Sequence, residues 1–367
     1  MGFVIDRRRL MQAGSSALAA GALGAFQDRA RAESNELTVI CDGGDLAKAN
    51  IAAYCKPFEA ATGIKVNAIT DQVSMADIEL MVSTNSVSID VFGTNQNSHR
   101  VLREKGLLEE IDYSIFKKEE LDEIVGFTKH KYGVGATIFS YVMVLSTEKY
   151  PPGKPRPVTW ADVWDVKKFP GVRSFISGQL GAEGLWEEAL LADGVPANAV
   201  YPMDIDRVFA SLDKIKPHVR KWWANGSEVY QMMKEKGADI VNSYDNRARI
   251  AIAEGAPYEI NHGQSKLSWT LWAIPKGSPK VRLAQKFIEF ATRAERQAAF
   301  IKMFPLGTSN LNVFKLIPDA LGRSLASHPD YIAKSIPMNA DWYGQKGADG
   351  VTNAERLRDR WKEWVLL

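Results

Sequence analysis

The sequence predicts an α/β protein of two lobes, and three observations predict it. Short apolar runs alternate with helical patterns from the start: Leu37 to Cys41, then Leu46 to Ala61, then Lys65 to Ile69. That is the order of a β–turn–α–β unit with a parallel sheet. A chain of 367 residues suits two lobes, each able to bury its own core. Polar residues cluster just after the buried runs, where open α/β sheets bind ligands beside helix N-termini.

An export signal is expected before the fold. Asp6-Arg7-Arg8-Arg9-Leu10-Met11 sets a twin arginine before an apolar run from Leu10 to Phe26. That run falls short of the roughly 20 residues that span a bilayer, so a single uncleaved anchor helix is the weaker reading. Ala30-Arg31-Ala32 forms an A-x-A cleavage site. The segment 1–32 therefore resembles a twin-arginine export signal cut after Ala32. Cys41 follows Ile40 rather than a small residue, so no lipid anchor is expected. With five arginines and two aspartates in the signal, the remainder of this +2 chain carries a net charge near −1. No basic patch marks a nucleic-acid binder.

The two cysteines, Cys41 and Cys55, end a strand and lie inside the first helix. They read as two small buried hydrophobes, with a disulfide as the alternative in an oxidising compartment. No CxxC or Cys/His cluster suggests a metal.

Along the chain, Asp42-Gly43-Gly44-Asp45 is a turn whose backbone N–H groups can cradle an anion at the next helix. It lacks the glycine spacing of a dinucleotide fingerprint. Ser74 to Thr84 reads as a helix and Ile89 to Phe92 as a buried strand. At the end of that strand Asn95, Gln96 and Asn97 offer neutral donors and acceptors, either to a ligand or as plain turn chemistry. Gly135 to Leu145, which contains Tyr141, is a long apolar run rich in β-formers. Helices follow over Trp160 to Val166, Leu185 to Leu191 and Ile205 to Ile215. Trp222 and Trp223 precede a helix that begins near Ser227; they suit a flat apolar wall or simply core.

The stretch from Gly237 to Pro279 carries the most signal. Ala238 to Val241 reads as a buried strand that ends in Tyr244, with Asp245 or Asn246 capping a helix closed by Gly255 and Pro257. Tyr244, Asp245 and Arg247 thus fall where a ligand would be read, or on an ordinary capped helix. Leu267 to Ile274 is a further strand. Helices over Lys280 to Ala291, Ala294 to Met303 and Glu355 to Leu366 complete the chain.

Catalytic signatures are missing from this pattern. The five histidines form no HExxH, and neither a GxSxG elbow nor a P-loop occurs. A binder is expected rather than an enzyme.

Lys56 to Val66, KPFEAATGIKV, is similar to a segment of periplasmic solute-binding proteins of ABC importers. Glu104 to Leu108 with Asp112 resemble the stretch after their third strand. Ala192 to Val195, Lys214 to Pro217, Trp222-Trp223 and Asn246-Arg247 resemble the polyamine-type, spermidine/putrescine-binding subgroup. So do Leu267 to Trp269, Ala273 to Gly277, Glu295 to Ala298 and Thr308 to Asn310. The resemblance implies a two-lobed type II periplasmic-binding-protein fold, with two Rossmann-like lobes joined by crossing hinge strands. It places the first lobe in 33–142, the second in 143–268, and a return to the first in 269–367. It further implies a monomer without cofactor that closes on its ligand and meets an inner-membrane permease.

The ligand implied is a small polar, amine-containing metabolite, polyamine-like or ω-amino acid-like. Against the polyamine pattern, the aromatic turn after the first strand is Asp42 to Asp45, and Asn95 to Asn97 replace a second aromatic turn. Thr270, after Trp269 in the hinge strand, stands where an acid is expected, and Leu306 where an aromatic is. Tyr244 and Asp245 replace a Trp and an Asn. Asp42, Asp45 or Asp245 would hold one ammonium, and Arg247 would pair a carboxylate through its planar fork. Two alternatives stand beside this reading. One is a ferric-ion or anion binder, leaning on Tyr141 and Tyr244. The other is an exported enzyme with an acid–base pair among Asp42, Asp45 and Asp245.

Overall fold

A computed structural model describes residues 35–367, which form one compact unit. The expected export signal lies outside the described residues. The first strand, Glu36–Ile40, alternates its side chains, so Leu37 and Val39 are fully buried. It pairs in parallel with Lys65–Ile69, from Glu36 opposite Lys65 to Ile40 opposite Ile69. The connection between them is helical but not one regular helix. Gly44–Asn50 and Lys56–Thr62 are α-helical, and Ile51–Cys55 between them is a π turn. Gly63, at φ 70°, closes it and donates its N–H to the Glu59 carbonyl at 2.8 Å.

Next, Ser74 caps Met75–Ser83 in a reciprocal capping box with Asp77. The strand expected over 89–92 is displaced along the chain. Val91 only bridges Val39, and the strand proper is Phe92–Asn95.

Two long strands, Gly133–Ser146 and Tyr258–Ala273, run antiparallel through a nine-stranded mixed sheet. At one end they carry the short strands Phe92–Asn95 and Gly307–Thr308. At the other, Tyr141–Leu145 pairs with Ile240–Tyr244, which continues in parallel to Arg173–Ile176 and Val219–Trp223. Trp222 and Trp223, expected only to precede a helix, therefore lie in a strand. The register of the two long strands slips between Gly135 and Ile138 and between Tyr141 and Met143. Each slip changes which face a side chain takes.

Two large apolar clusters flank this pair of strands. One gathers Leu37, Phe58, Trp272 and Phe287; the other gathers Trp160, Trp186, Phe209 and Trp223. The return segment is divided between them. Residues 281–325 pack in the first cluster, but Leu357, Trp361 and Trp364 of the terminal helix Asn353–Leu366 pack in the second. Trp361 meets Trp222 and Trp186 with ring centroids at 4.9 and 5.8 Å. The apolar stripe of that helix was evident from its spacing; the body it covers was not, because periodicity defines a face and not its partner.

Beside the long strands the second body buries a charged cluster. Lys266 Nζ donates to Glu187 at 2.9 Å, to Glu188 at 3.2 Å and to the Gly184 carbonyl at 2.5 Å. All three side chains are about 1% exposed. Tyr201 and Tyr343 donate their hydroxyls to Glu187 at 2.5 and 2.6 Å, and the ammonium lies 4.8 Å from the Tyr141 ring centre. Burial raises the Glu188 pKa to about 7, against the pull of Lys266.

Candidate ligand cleft

The long strands form the floor of a cleft of about 540 Å³ that draws its lining from both sides of the sheet's midpoint. Alternation along Tyr258–Ala273 turns Thr270 and Trp272 towards the cleft and leaves Trp269 and Leu271 on the opposite face with Ile138 and Leu267. The partner strand contributes Thr137 and Phe139, and the Thr137 and Thr270 hydroxyls share a hydrogen bond of 2.7 Å across the floor.

One wall follows the first strand. Asp42 lines it at φ 60°, a left-handed conformation that Asp adopts more readily than most residues and that clusters at functional sites. Asn50, also in the lining, donates its side-chain amide to the Cys41 carbonyl at 3.0 Å and so fixes the turn that aims Asp42. Burial raises the Asp42 pKa above the ordinary carboxylate value. Gln72 and Ser74 extend this wall, as do Asn95 and Ser98. Asn95 is fixed by its capping role: its side-chain oxygen accepts the Ser98 N–H at 2.9 Å.

The facing wall holds Tyr244, Asn246 and Arg247, at the start of the helix Asp245–Ala253, together with Gly226. Gly226 begins the helix Gly226–Lys234, and a Cβ there would stand 2.9 Å from Arg247 Nε, so the missing side chain lets Arg247 lie against the start of that helix. The Tyr244 ring rests 4.9 Å from Tyr141 and 5.4 Å from Trp223, and its hydroxyl donates to Glu183 at 3.2 Å. Burial pushes its pKa well up, so it stays a neutral donor. The cleft thus offers a carboxylate on one wall, a guanidinium on the other, and aromatic surface from Phe139, Tyr244 and Trp272 between them. Neither Asp42 nor Arg247 has an ion-pair partner among the described residues.

Residues 53–323 match the model of a bacterial extracellular solute-binding protein family. The chain belongs to that family. Among curated proteins it is similar to the gamma-aminobutyric acid-binding protein of Pseudomonas aeruginosa, at 32% identity over 93% of this chain and 94% of the other. Among solved structures it is similar to the Atu4243 GABA receptor, with 28% identity, a TM-score of 0.74, and coverage of 90% of this chain and 97% of that one. An ABC transporter substrate-binding protein from Bradyrhizobium japonicum gives 28% identity and a TM-score of 0.76, over 90% of this chain and 99% of that one. The α/β architecture is that of these extracytoplasmic binding proteins.

The residues singled out in the sequence divide into those on the cleft and those elsewhere. Asp42, Asn95, Tyr244, Arg247, Thr270 and Leu306 line it. Gly43 and Gly44 do not; Gly43 precedes the helix, its Cβ direction facing the Thr70 carbonyl. Asp45 points into solvent, paired with Lys48 at 2.8 Å. Asn97, between Gln96 and Ser98, and Ser227, after Gly226, both lie in first turns of helix and are not part of the cleft lining. Tyr141 and Trp223 are buried behind Tyr244, and Trp223 donates its indole N–H to the Asn242 carbonyl at 2.8 Å. Asp245 is no cap: it is the first helical residue, 1% exposed, and accepts the Ser140 N–H at 2.9 Å. Gln96 and Trp269 line a different cavity.

Three acids proposed as an acid–base set are therefore not brought together. Tyr141 and Tyr244 pack against one another and do not converge on a shared point in the cleft. Sequence reasoning missed Phe139, Trp272, Gln72 and Gly226. Phe139 and Trp272 were visible as aromatics in predicted strands; Trp272 shares the face of Thr270, but the face Phe139 takes depends on the register slip between Gly135 and Ile138. Cys41 and Cys55 are buried free thiols with their sulfurs 3.5 Å apart.

Proposed function

We propose that the cleft binds a small ω-amino acid of the 4-aminobutyrate type and that closure of the two bodies around it delivers it to an ABC permease. The observation that carries this reading is the pair Asp42 and Arg247 on opposite walls of one cleft. A carboxylate recognises the ammonium end, and the planar guanidinium takes the carboxylate end in a bidentate pair. Phe139, Tyr244 and Trp272 give the methylenes apolar cover, and an ammonium near aromatic faces gains cation–π attraction. Two relatives whose names state GABA binding support the same class.

A polyamine fits this lining less well, although the order of motifs along the chain is that of the polyamine-type subgroup. Putrescine presents two ammonium groups, and the second would meet Arg247. Export by the twin-arginine segment, action in the periplasm as a monomer, and a lobe boundary near residues 142 and 268 belong to the same proposal. The proposal includes no catalytic step: among the described residues the cleft lining holds one carboxylate, Asp42, and no histidine.

Thermal unfolding with 4-aminobutyrate, putrescine, butyrate and butylamine tests the reading. A ligand at about 100 times its Kd adds about 2.7 kcal/mol. The expected result is a shift with 4-aminobutyrate alone. A shift with putrescine and none with 4-aminobutyrate would overturn it.

A further inference from the structure

The floor of the cleft holds more hydrogen-bonding capacity than the methylenes of 4-aminobutyrate can use. Thr137 and Thr270 stand on the two long strands, both half-buried and both in the cleft lining. Their hydroxyls lie 2.7 Å apart and share one hydrogen bond, and neither makes another among the described residues. One hydroxyl therefore donates to the other, and the second O–H has no acceptor. The oxygen that donates keeps its own lone pairs for a further donor. Asn95 adds to this capacity. Its side-chain oxygen is spent on the Ser98 N–H, and its amide N–H groups are unused among the described residues.

Strand register places the threonine pair between the two charged walls. Trp272 is opposite Gly93, and a Cβ at Gly93 would stand 4.0 Å from Asp42 Oδ2. Two residues back along the same strand, a step of about 7 Å, Thr270 is opposite Asn95. On the partner strand Thr137 leads to Phe139 and then to Tyr141, which is opposite Tyr244 on the Arg247 wall. From Asp42 towards Arg247 the hydroxyl pair thus comes first and the Phe139 ring after it. A ligand with its ammonium at Asp42 passes the carbons nearest that ammonium over the two hydroxyls. Ala136, Phe139 and Leu306 also line the cleft, so once closure expels water an unanswered O–H there is a stranded donor.

Resting on the ω-amino acid reading above, we propose that the ligand is a hydroxylated member of that class, with its hydroxyl on the carbon next to the aminomethyl group, and that Thr137 and Thr270 select it. A hydroxyl is a small neutral group that accepts and donates at once. It accepts the free O–H of one threonine and returns its own proton to the oxygen of the other, so that three hydroxyls close a ring of hydrogen bonds. A methylene in that place strands the O–H, and a ketone accepts one bond and returns none.

Isothermal titration of the whole protein with 4-aminobutyrate and with each enantiomer of 4-amino-3-hydroxybutyrate tests this, in wild type and in the double variant Thr137→Val/Thr270→Val. Both threonines are replaced together because either one alone still offers the ligand a hydroxyl. Valine keeps the shape, and removing both partners of a hydrogen bond leaves neither one stranded. The expected result is that wild type binds one enantiomer about fivefold more tightly than 4-aminobutyrate, the worth of one net hydrogen bond, and that the double variant holds the same two compounds within about twofold of each other. Wild type that binds 4-aminobutyrate at least as tightly as both enantiomers overturns the inference and leaves the ω-amino acid reading standing. A preference that survives in the double variant overturns the assignment to the threonines. Binding of none of these compounds overturns the inference and that reading together.

Discussion

At the scale of single residues, Arg247 and Asp42 decide what the cleft accepts. Arg247→Gln keeps a donor but loses the fork and the charge. It is expected to weaken 4-aminobutyrate by about 10- to 100-fold, the worth of a charge-assisted bond at about 1.5–3 kcal/mol. Asp42→Asn should act similarly on the ammonium end, measured by titration calorimetry. Because burial raises the Asp42 pKa, wild-type affinity should fall as pH drops through that raised value, and Asp42→Asn should lose this dependence. The aromatic residues carry a lesson about legibility. Trp223 and Trp269 were the tryptophans singled out as ligand contacts, yet one is core and the other lines a different cavity. Trp272 shares the cleft face with Thr270 by plain alternation, and Phe139 takes its place because a register slip between Gly135 and Ile138 resets the alternation of its strand. No periodicity reveals a slip of that kind. Phe139→Ala should therefore weaken cleft binding by several-fold, while Trp269→Phe leaves it unchanged.

At the scale of elements, the helical and strand order was readable from hydrophobic period, and most starts follow from visible caps such as Ser74, Asn95 and Asn225. What was hidden is how elements associate over distance. The π turn Ile51–Cys55 and the shift of the third strand to Phe92–Asn95 answer to tertiary packing, which local propensity does not encode. The buried cluster of Lys266 with Glu187 and Glu188 was also hidden. Lys266 is 79 and 78 residues from its two adjacent acids, and the three read singly as surface charges. It ties the long strand Tyr258–Ala273 to the helix Trp186–Ala192. Lys266→Met should destabilise the protein by about 3–5 kcal/mol, since it leaves two buried acids without their cation. Denaturant unfolding would measure this. Joint replacement of Lys266, Glu187 and Glu188 by apolar residues should recover much of the loss.

For the whole molecule, the two bodies share the long strands but are crossed again by the segment that leads to the terminal helix. His262, on the long strand, stacks on Tyr331 with centroids 4.0 Å apart and planes 7° apart. Burial, with nearby Arg249 and His328, lowers its pKa from 6.5 to about 4. A folded-state pKa below the unfolded one gives stability that is present above 6.5 and lost as pH falls towards about 4. His262→Phe keeps the stack and removes the titration. Its stability relative to wild type should therefore rise as pH falls across that window, as thermal unfolding at pH 7 and at about pH 4.5 would show. The central claim concerns the cleft that these bodies enclose, and it says that both ends of the ligand are read at once. Isothermal titration with 4-aminobutyrate, butyrate and butylamine tests it most directly. The account predicts that 4-aminobutyrate binds at least about tenfold more tightly than either one-ended analogue, as loss of a charge-assisted pair requires. Equal binding of butylamine and 4-aminobutyrate would contradict it, because Arg247 would then read nothing.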